Sequence, residues 1–334
     1  MQQTTTYGSD HAGLICAYFF PADGSAPVSL DAEAAAEHCR PAAEGFTWLH
    51  FNLANVAAER WMRSHLELPE AFFESQREGM RSTRVEQEAG SLLAVVNDVA
   101  FDFSFDPSNV ATLWIAVQPG LAVSARLKPL RSIDRLRSTV RGGETLRSPS
   151  DLLAHLLREQ AEVMVQIVRD ATLRADQAED ELLARHRGNR TALAAMRRVL
   201  VRLQRLLAPE PAALFRLLNR PPAWVSGQDV QELREAAEEF STVIADTAAL
   251  VERVKVLQEE LAAHVNEQSN RTLFVLTVVT VVALPINLIA GLLGMNVGGV
   301  PLAENHHGFW VVLVFVLSLT GLGGMWAMRQ LRED

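Results

Sequence analysis

Apolar residues in the first part of the chain come in short runs: Leu14 to Phe20, Thr47 to Leu53, Leu92 to Phe103, Ala111 to Val117 and Leu121 to Leu127. The runs are rich in β-branched and aromatic side chains and are separated by Pro, Gly and Asp, which predicts strands. Helical stretches such as Leu30 to His38 lie between them, so residues 1–147 are expected to form an α/β domain. From Ser148 the pattern becomes helical, with Leu, Ala, Arg and Glu dominant. Helices are predicted over 149–187 and 190–206, followed by breaks at Ala208-Pro209-Glu210-Pro211 and Pro221-Pro222, within a helical region 148–225.

Beyond Ser226, with a helix start near Asp229, no Pro interrupts the chain until Pro285. Leu233, Ala237, Phe240, Ile244, Thr247, Leu250 and Val254 recur at helical spacing. One helix over 228–295, on the order of 100 Å long, is expected. Periodicity alone fits a spacer coiled coil as well as a pore-lining stalk. The stalk, 226–272, runs directly into an apolar segment, 273–295, and that continuity favours the second.

From Thr272 to Ala303 there is no Asp, Glu, Lys, Arg or His, and a second apolar run extends from Phe309 to Met328. Leu273 to Leu293 is long enough to cross a hydrocarbon core of roughly 30 Å. Residues 273–295 and 309–328 are therefore expected to be transmembrane helices joined by an outer loop, 296–308. Arg271 precedes the first span, Arg329 and Arg332 lie in the tail 329–334, and the loop has no Lys or Arg. The positive-inside rule then places both termini in the cytoplasm. Pro285 either kinks the first span or is tolerated there, with no site role.

Steps of three and four residues from Asn270 visit Leu273, Thr277, Thr280, Leu284, Asn287, Gly291 and Gly294, one face of a helix. Polar groups in lipid are costly unless they meet water or another helix, so this face is expected to point inward. Helix packing is the competing reading for Thr277, Thr280 and Gly291, whereas Asn287 fits a pore lining better. Leu273, Leu276 and Leu284 are candidate apolar gates. Two helices cannot enclose an aqueous path, so conduction requires a homo-oligomer.

Gly294-Met295-Asn296 ends the first span and is followed by Val297-Gly298-Gly299-Val300-Pro301 and Gly308-Phe309-Trp310. Asn270-Arg271-Thr272, Arg84-Val85-Glu86 and Trp48-Leu49-His50 lie upstream. With these motifs the chain resembles the CorA superfamily of divalent-cation transporters, and the segment after Asn296 resembles its zinc-transporting ZntB branch. The resemblance implies a funnel-shaped homopentamer in the inner membrane that takes up Zn2+ together with protons. It also implies that Gly294, Met295 and Asn296 form the outer mouth of the pore, Asn296 as a ring of amide oxygens.

Pore chemistry supports a divalent cation more firmly than zinc. Neither span contains a thiolate, imidazole or carboxylate, the ligands zinc prefers, and amides, hydroxyls and carbonyls suit an ion that keeps its water. Glu304, His306 and His307 in the outer loop are candidate capture ligands. Proton coupling has no intramembrane acid or His to carry it; His264 and Glu267 lie just below the entry. Acids of the stalk, among them Asp229, Glu232, Glu235, Glu238, Glu239, Asp246, Glu252, Glu259, Glu260 and Glu267, could line a funnel, although Arg234, Arg253 and Lys255 indicate ion pairing for some.

Net charge of −9 argues against a nucleic-acid partner, and the expected partners are membrane lipid, divalent cations and other copies of the chain. Cys16 and Cys39 supply no disulfide framework and are expected to have no role. Met1 to Asp10 lacks the apolar core of a signal peptide. No Walker loop, Rossmann fingerprint, HExxH or GxSxG occurs, so neither an enzyme, a bound cofactor nor an ATP-driven pump is expected. The alternatives are a CorA-type Mg2+ channel and a non-conducting, membrane-tethered coiled-coil scaffold or sensor.

Overall fold

A computed structural model describes residues 8–39, 44–77, 83–104, 106, 109–185, 190–295 and 306–333. The chain divides into two compact units, Met1–Gln258 and Glu259–Asp334.

The first unit contains a seven-stranded mixed sheet built from β1 (Leu14–Pro21), β2 (Val28–Leu30), β3 (Gly45–Asn52), β4 (Arg84–Glu88), β5 (Ser91–Val99), β6 (Val110–Gln118) and β7 (Leu121–Arg126). Strand order is β2-β1-β3-β7-β6-β5-β4, and only the β3–β7 pair is parallel. Helices cover both faces, which is why β5 is buried along its whole length and reads as a continuous apolar run rather than an alternating one. Leu92, Ala94 and Val96 face a core shared with α4 (Arg131–Arg141), α5 (Pro149–Arg185), α7 (Pro209–Leu218) and α8 (Gly227–Leu293). Leu93 and Val95 face the opposite core, formed with α1 (Ala32–His38), α2 (Ala57–His65) and α3 (Glu70–Arg77). A third cluster joins α5, α6 (Arg190–Leu207) and α8 through Met164, Ile167, Val199, Leu203, Phe240 and Val243.

Differences from the sequence-based expectation have local causes. The helix expected from Leu30 starts at Ala32, because Asp31 accepts a hydrogen bond from the Ala34 amide at 2.9 Å and Leu30 closes β2. β5 stops at Val99 rather than Phe103, since Ala100 forms an isolated bridge with Leu130 and the chain then turns. The predicted break at Ala208-Pro209-Glu210-Pro211 occurs but is confined to Ala208, between the end of α6 at Leu207 and the first turn of α7, where proline's missing N–H costs nothing. Gly45 adopts φ +146°, and a Cβ there would lie 2.2 Å from the Phe20 carbonyl oxygen, so a side chain is excluded where β1 and β3 meet.

The N-termini of α5 and α8 are tied together. Ser148 Oγ accepts from the Asp151 amide and donates to Asp229 Oδ2, each at 2.9 Å, while Ser226 Oγ accepts from the Asp229 amide at 3.0 Å. Arg147 bridges the same junction by pairing with Asp151 and Glu232. Of the stalk acids, Glu232 pairs with Arg147 and Glu252 with Lys255, while the stalk's Arg253 holds Asp176 at 2.7 Å and Glu179 at 2.5 Å on α5.

Trp48-Leu49-His50 lies in β3 and is fully buried. Arg126 donates from Nε to His50 Nε2 at 3.1 Å, so the imidazole proton sits on Nδ1 and faces Ser124 Oγ at 2.8 Å. Trp48 Nε1 donates to that same hydroxyl at 2.9 Å. Burial, reinforced by Arg126 and Arg137, holds the imidazole well below its usual titration range. His50 is therefore a neutral structural link between β3 and β7. Burial also pushes the Cys16 and Cys39 thiols up to about 11, which keeps both as unreactive thiols.

Candidate functional site: an uncovered polar stripe on α8

α8 is one helix from Gly227 to Leu293 and continues through Pro285 without interruption. Its apolar part is long and apolar enough to cross a membrane. Gly294 completes the last turn by donating its N–H to the Ala290 carbonyl at 2.9 Å. In the second unit this part of α8 is accompanied by α9 (Gly308–Glu333), 26 residues by backbone, whose described apolar run is Gly308–Gly323.

The packing of α9 on α8 decides which face of α8 stays open. Phe274, Val278, Val282, Pro285, Ile286, Ile289 and Leu293 are half-buried and share one side of the helix. Gly323 approaches here: a Cβ on it would stand 3.2 Å from Val282 Cγ2. About half a helical turn away lie Asn270, Leu273, Thr277, Thr280, Leu284, Asn287, Gly291 and Gly294, every one of them exposed. Leu273, Leu276 and Leu284 are 58%, 62% and 67% exposed. A Cβ on Gly291 would meet nothing within 4 Å, so no packing inside the chain calls for glycine there.

Hydrogen bonding gives this stripe a definite polarity. Thr277 Oγ1 donates to the Leu273 carbonyl and Thr280 Oγ1 to the Leu276 carbonyl, each at 2.8 Å. Each hydroxyl has thereby spent its single proton on the helix and offers only lone pairs outward. Oxygen lone pairs accept from the hydration shell of a cation and repel an anion. Asn287 adds an exposed amide on the same face one turn beyond Leu284. The row offers neutral oxygen acceptors and no charged ligand.

Other expected site residues are not gathered here. Asn296 and Glu304 lie outside the described residues. The His306 and His307 rings are exposed, with centroids 6.4 Å apart and planes at 87°. Among the described residues, no group of three or more His, Cys, Asp or Glu could hold a metal. His264 Nδ1 stands 3.8 Å from Glu267 Oε2 on the exposed helix surface. Sequence periodicity located the stripe but not Gly323, although the run Gly321-Leu322-Gly323-Gly324 is the small-residue signal that permits close helix approach.

Comparison with known proteins agrees with this architecture. A family model described as "CorA-like Mg2+ transporter protein" matches residues 43–329. The divalent cation transporter CmaX of Pseudomonas aeruginosa is 27% identical, covering 85% of this chain and 86% of its own length. The zinc transport protein ZntB of Pectobacterium atrosepticum is 23% identical over 84% of this chain and 86% of its own. The solved structure of full-length CmaX superposes with a TM-score of 0.81 at 25% identity, covering 97% of this chain and 99% of that one. With the family model matching residues 43–329, well over half of the chain, the chain belongs to the CorA-like family and is a divalent-cation transporter rather than an enzyme.

Proposed function

We propose that this protein moves Zn2+ across the inner membrane through a pore lined by the Thr277–Thr280–Asn287–Gly291 face of α8, in a homo-oligomer that is a pentamer by family resemblance. The observation that carries the reading is the neutral polar stripe, with the Thr277 and Thr280 hydroxyls turned outward as acceptors and the Asn287 amide beside them, left open by α9 and ending at Gly294-Met295. In a symmetric assembly each acceptor becomes a ring around the axis, and Leu273, Leu276 and Leu284 become apolar constrictions. Gly291, unconstrained inside the chain, suits close approach of a neighbouring helix. α9 forms the second span, and Asn296 contributes the amide ring at the outer mouth. Both termini are cytoplasmic, and uptake is coupled to protons that travel through water, since the stripe holds no titratable relay.

The name of the ZntB relative supports zinc, whereas the family model's description and the stripe's hard, neutral oxygens favour a second reading, a Mg2+ channel of the same architecture. Flux into liposomes separates them. Purified protein is reconstituted with an internal zinc- or magnesium-sensitive dye, with and without an inward proton gradient, as wild type and Asn296→Ala. Zinc entry accelerated by the gradient and lost in the variant is expected. Gradient-independent magnesium entry would move the assignment to the channel, and absence of any flux would refute transport through this stripe.

A further inference from the structure

On α6, Arg197, Arg198, Arg202 and Arg205 line one groove of about 600 Å³ together with Ala194, Val201 and Gln258 of α8. All of these residues belong to the first compact unit. Their spacing places the arginines on one side of the helix, and the other side buries Leu193, Met196, Val199, Leu200, Leu203 and Leu207 in the core. The helix is thus pinned with its arginines turned into the groove.

Several arginines elsewhere in the chain meet carboxylates. Arg63 contacts Glu59 and Glu70, Arg135 contacts Glu159, and Arg253 contacts Asp176 and Glu179. None of the four groove arginines' side chains forms an ion pair or hydrogen bond with another described residue. Arg197 and Arg202 are half-buried, and their Nε–H groups are enclosed yet unpartnered. Like charges three to five residues apart on one helix repel, and an enclosed, unpaired N–H loses its water. Among the described residues no carboxylate lines the groove, so an anion from outside would relieve both costs.

We infer that this groove binds an organic oligophosphate. Guanidinium forks match phosphate oxygens two at a time, and four forks along two helical turns address several phosphate groups rather than one. Ala194 and Val201, the latter 41% exposed, offer an apolar strip for the organic part. The volume lies within the range of small-molecule sites. Such a site would let the soluble unit respond to a cellular phosphate compound independently of the ion path.

The test is calorimetric titration of the full-length protein in detergent with inorganic tripolyphosphate and with ATP, at low and high NaCl. One site per chain is expected, weakened by salt. Arg197→Gln combined with Arg202→Gln should reduce affinity roughly 100-fold, since two charge-assisted contacts are lost. Lysine at both positions should recover part of it, and Arg216→Gln on α7 should change nothing. Hydrogen exchange on the wild type provides an arm free of folding artefacts, with slower exchange across 197–205 when tripolyphosphate is present. Absence of binding, binding unaltered by the double Gln variant, or protection confined to other elements would each overturn the proposal. So would a change of oligomer mass in the double variant with no anion bound by the wild type, which would assign the arginines to a contact between copies.

Discussion

Replacing Thr277 and Thr280 by Val removes two hydroxyls from α8 while keeping the shape of both side chains. Each hydroxyl donates to its own helix at 2.8 Å, so what the substitution removes from the outside is one acceptor per side chain. A hydrogen bond of this kind contributes about 1 kcal/mol net, so two lost acceptors raise the barrier for a hydrated cation by about 2 kcal/mol per chain. That corresponds to roughly 30-fold slower flux, and more where several copies line one path. Helix stability should change by no more than about 0.5 kcal/mol, because the lost bonds are weak back-bonds to the helix's own carbonyls. Thr320→Val is the matched control: its hydroxyl makes the same 2.8 Å back-bond, to Val316, but it sits on α9. The assay is initial zinc and magnesium entry into liposomes, with melting of the detergent-solubilised protein measured alongside. Equal slowing by Thr320→Val, or undiminished flux in the double variant, would refute the assignment of the stripe as the ion path.

Gly323→Leu should unfold the helix pair more readily by roughly 1–3 kcal/mol, because the first added carbon already stands 3.2 Å from Val282. Denaturation of the solubilised protein measures this, and Val282→Ala added to it should restore part of the loss; additive effects would mean the two do not touch. Ser148→Ala removes the cap on α5 and leaves buried Asp229 Oδ2 without its donor. A cost of about 2–4 kcal/mol in unfolding free energy follows, and a loss below 1 kcal/mol would contradict the junction described above. Fully buried Glu210 is raised well above its usual range by burial, then by the nearby Asp98 charge; Asp98 itself is raised to about 6 by burial. For both acids the folded state holds the proton more tightly, so their contribution is fully present below about pH 4 and is lost as pH rises through the folded values. Glu210→Gln should accordingly flatten the decline of thermal stability above pH 5, and an unchanged pH profile would show that Glu210 is ionised in the fold.

Much of the architecture was legible because burial leaves a direct trace in composition. β1, β3, β5, β6 and β7 announce themselves as apolar runs, and α5, α6 and α8 as long helical periodicities. β2 and β4 did not, since both are edge strands: β4, Arg-Val-Glu-Gln-Glu, turns most of its side chains to solvent. α2, α3 and α4 are short amphipathic helices whose burial depends on a sheet assembled from distant residues. α7 was hidden by Pro209 and Pro211, which read as a break until the fold places them in a first turn.

By itself the sequence determined that an uncharged helix with a polar stripe follows a long stalk and ends at Gly294-Met295-Asn296, because periodicity and charge are local properties of the chain. Only the tertiary structure decided that α9 covers the Val282 side and leaves the Thr277–Thr280–Asn287 side open, and that His50 is a neutral structural link. It also decided that four arginines of α6 share one groove without a carboxylate. Each of these depends on which distant element fills the space beside a residue, and that is fixed by packing rather than by the residue's own neighbours in sequence.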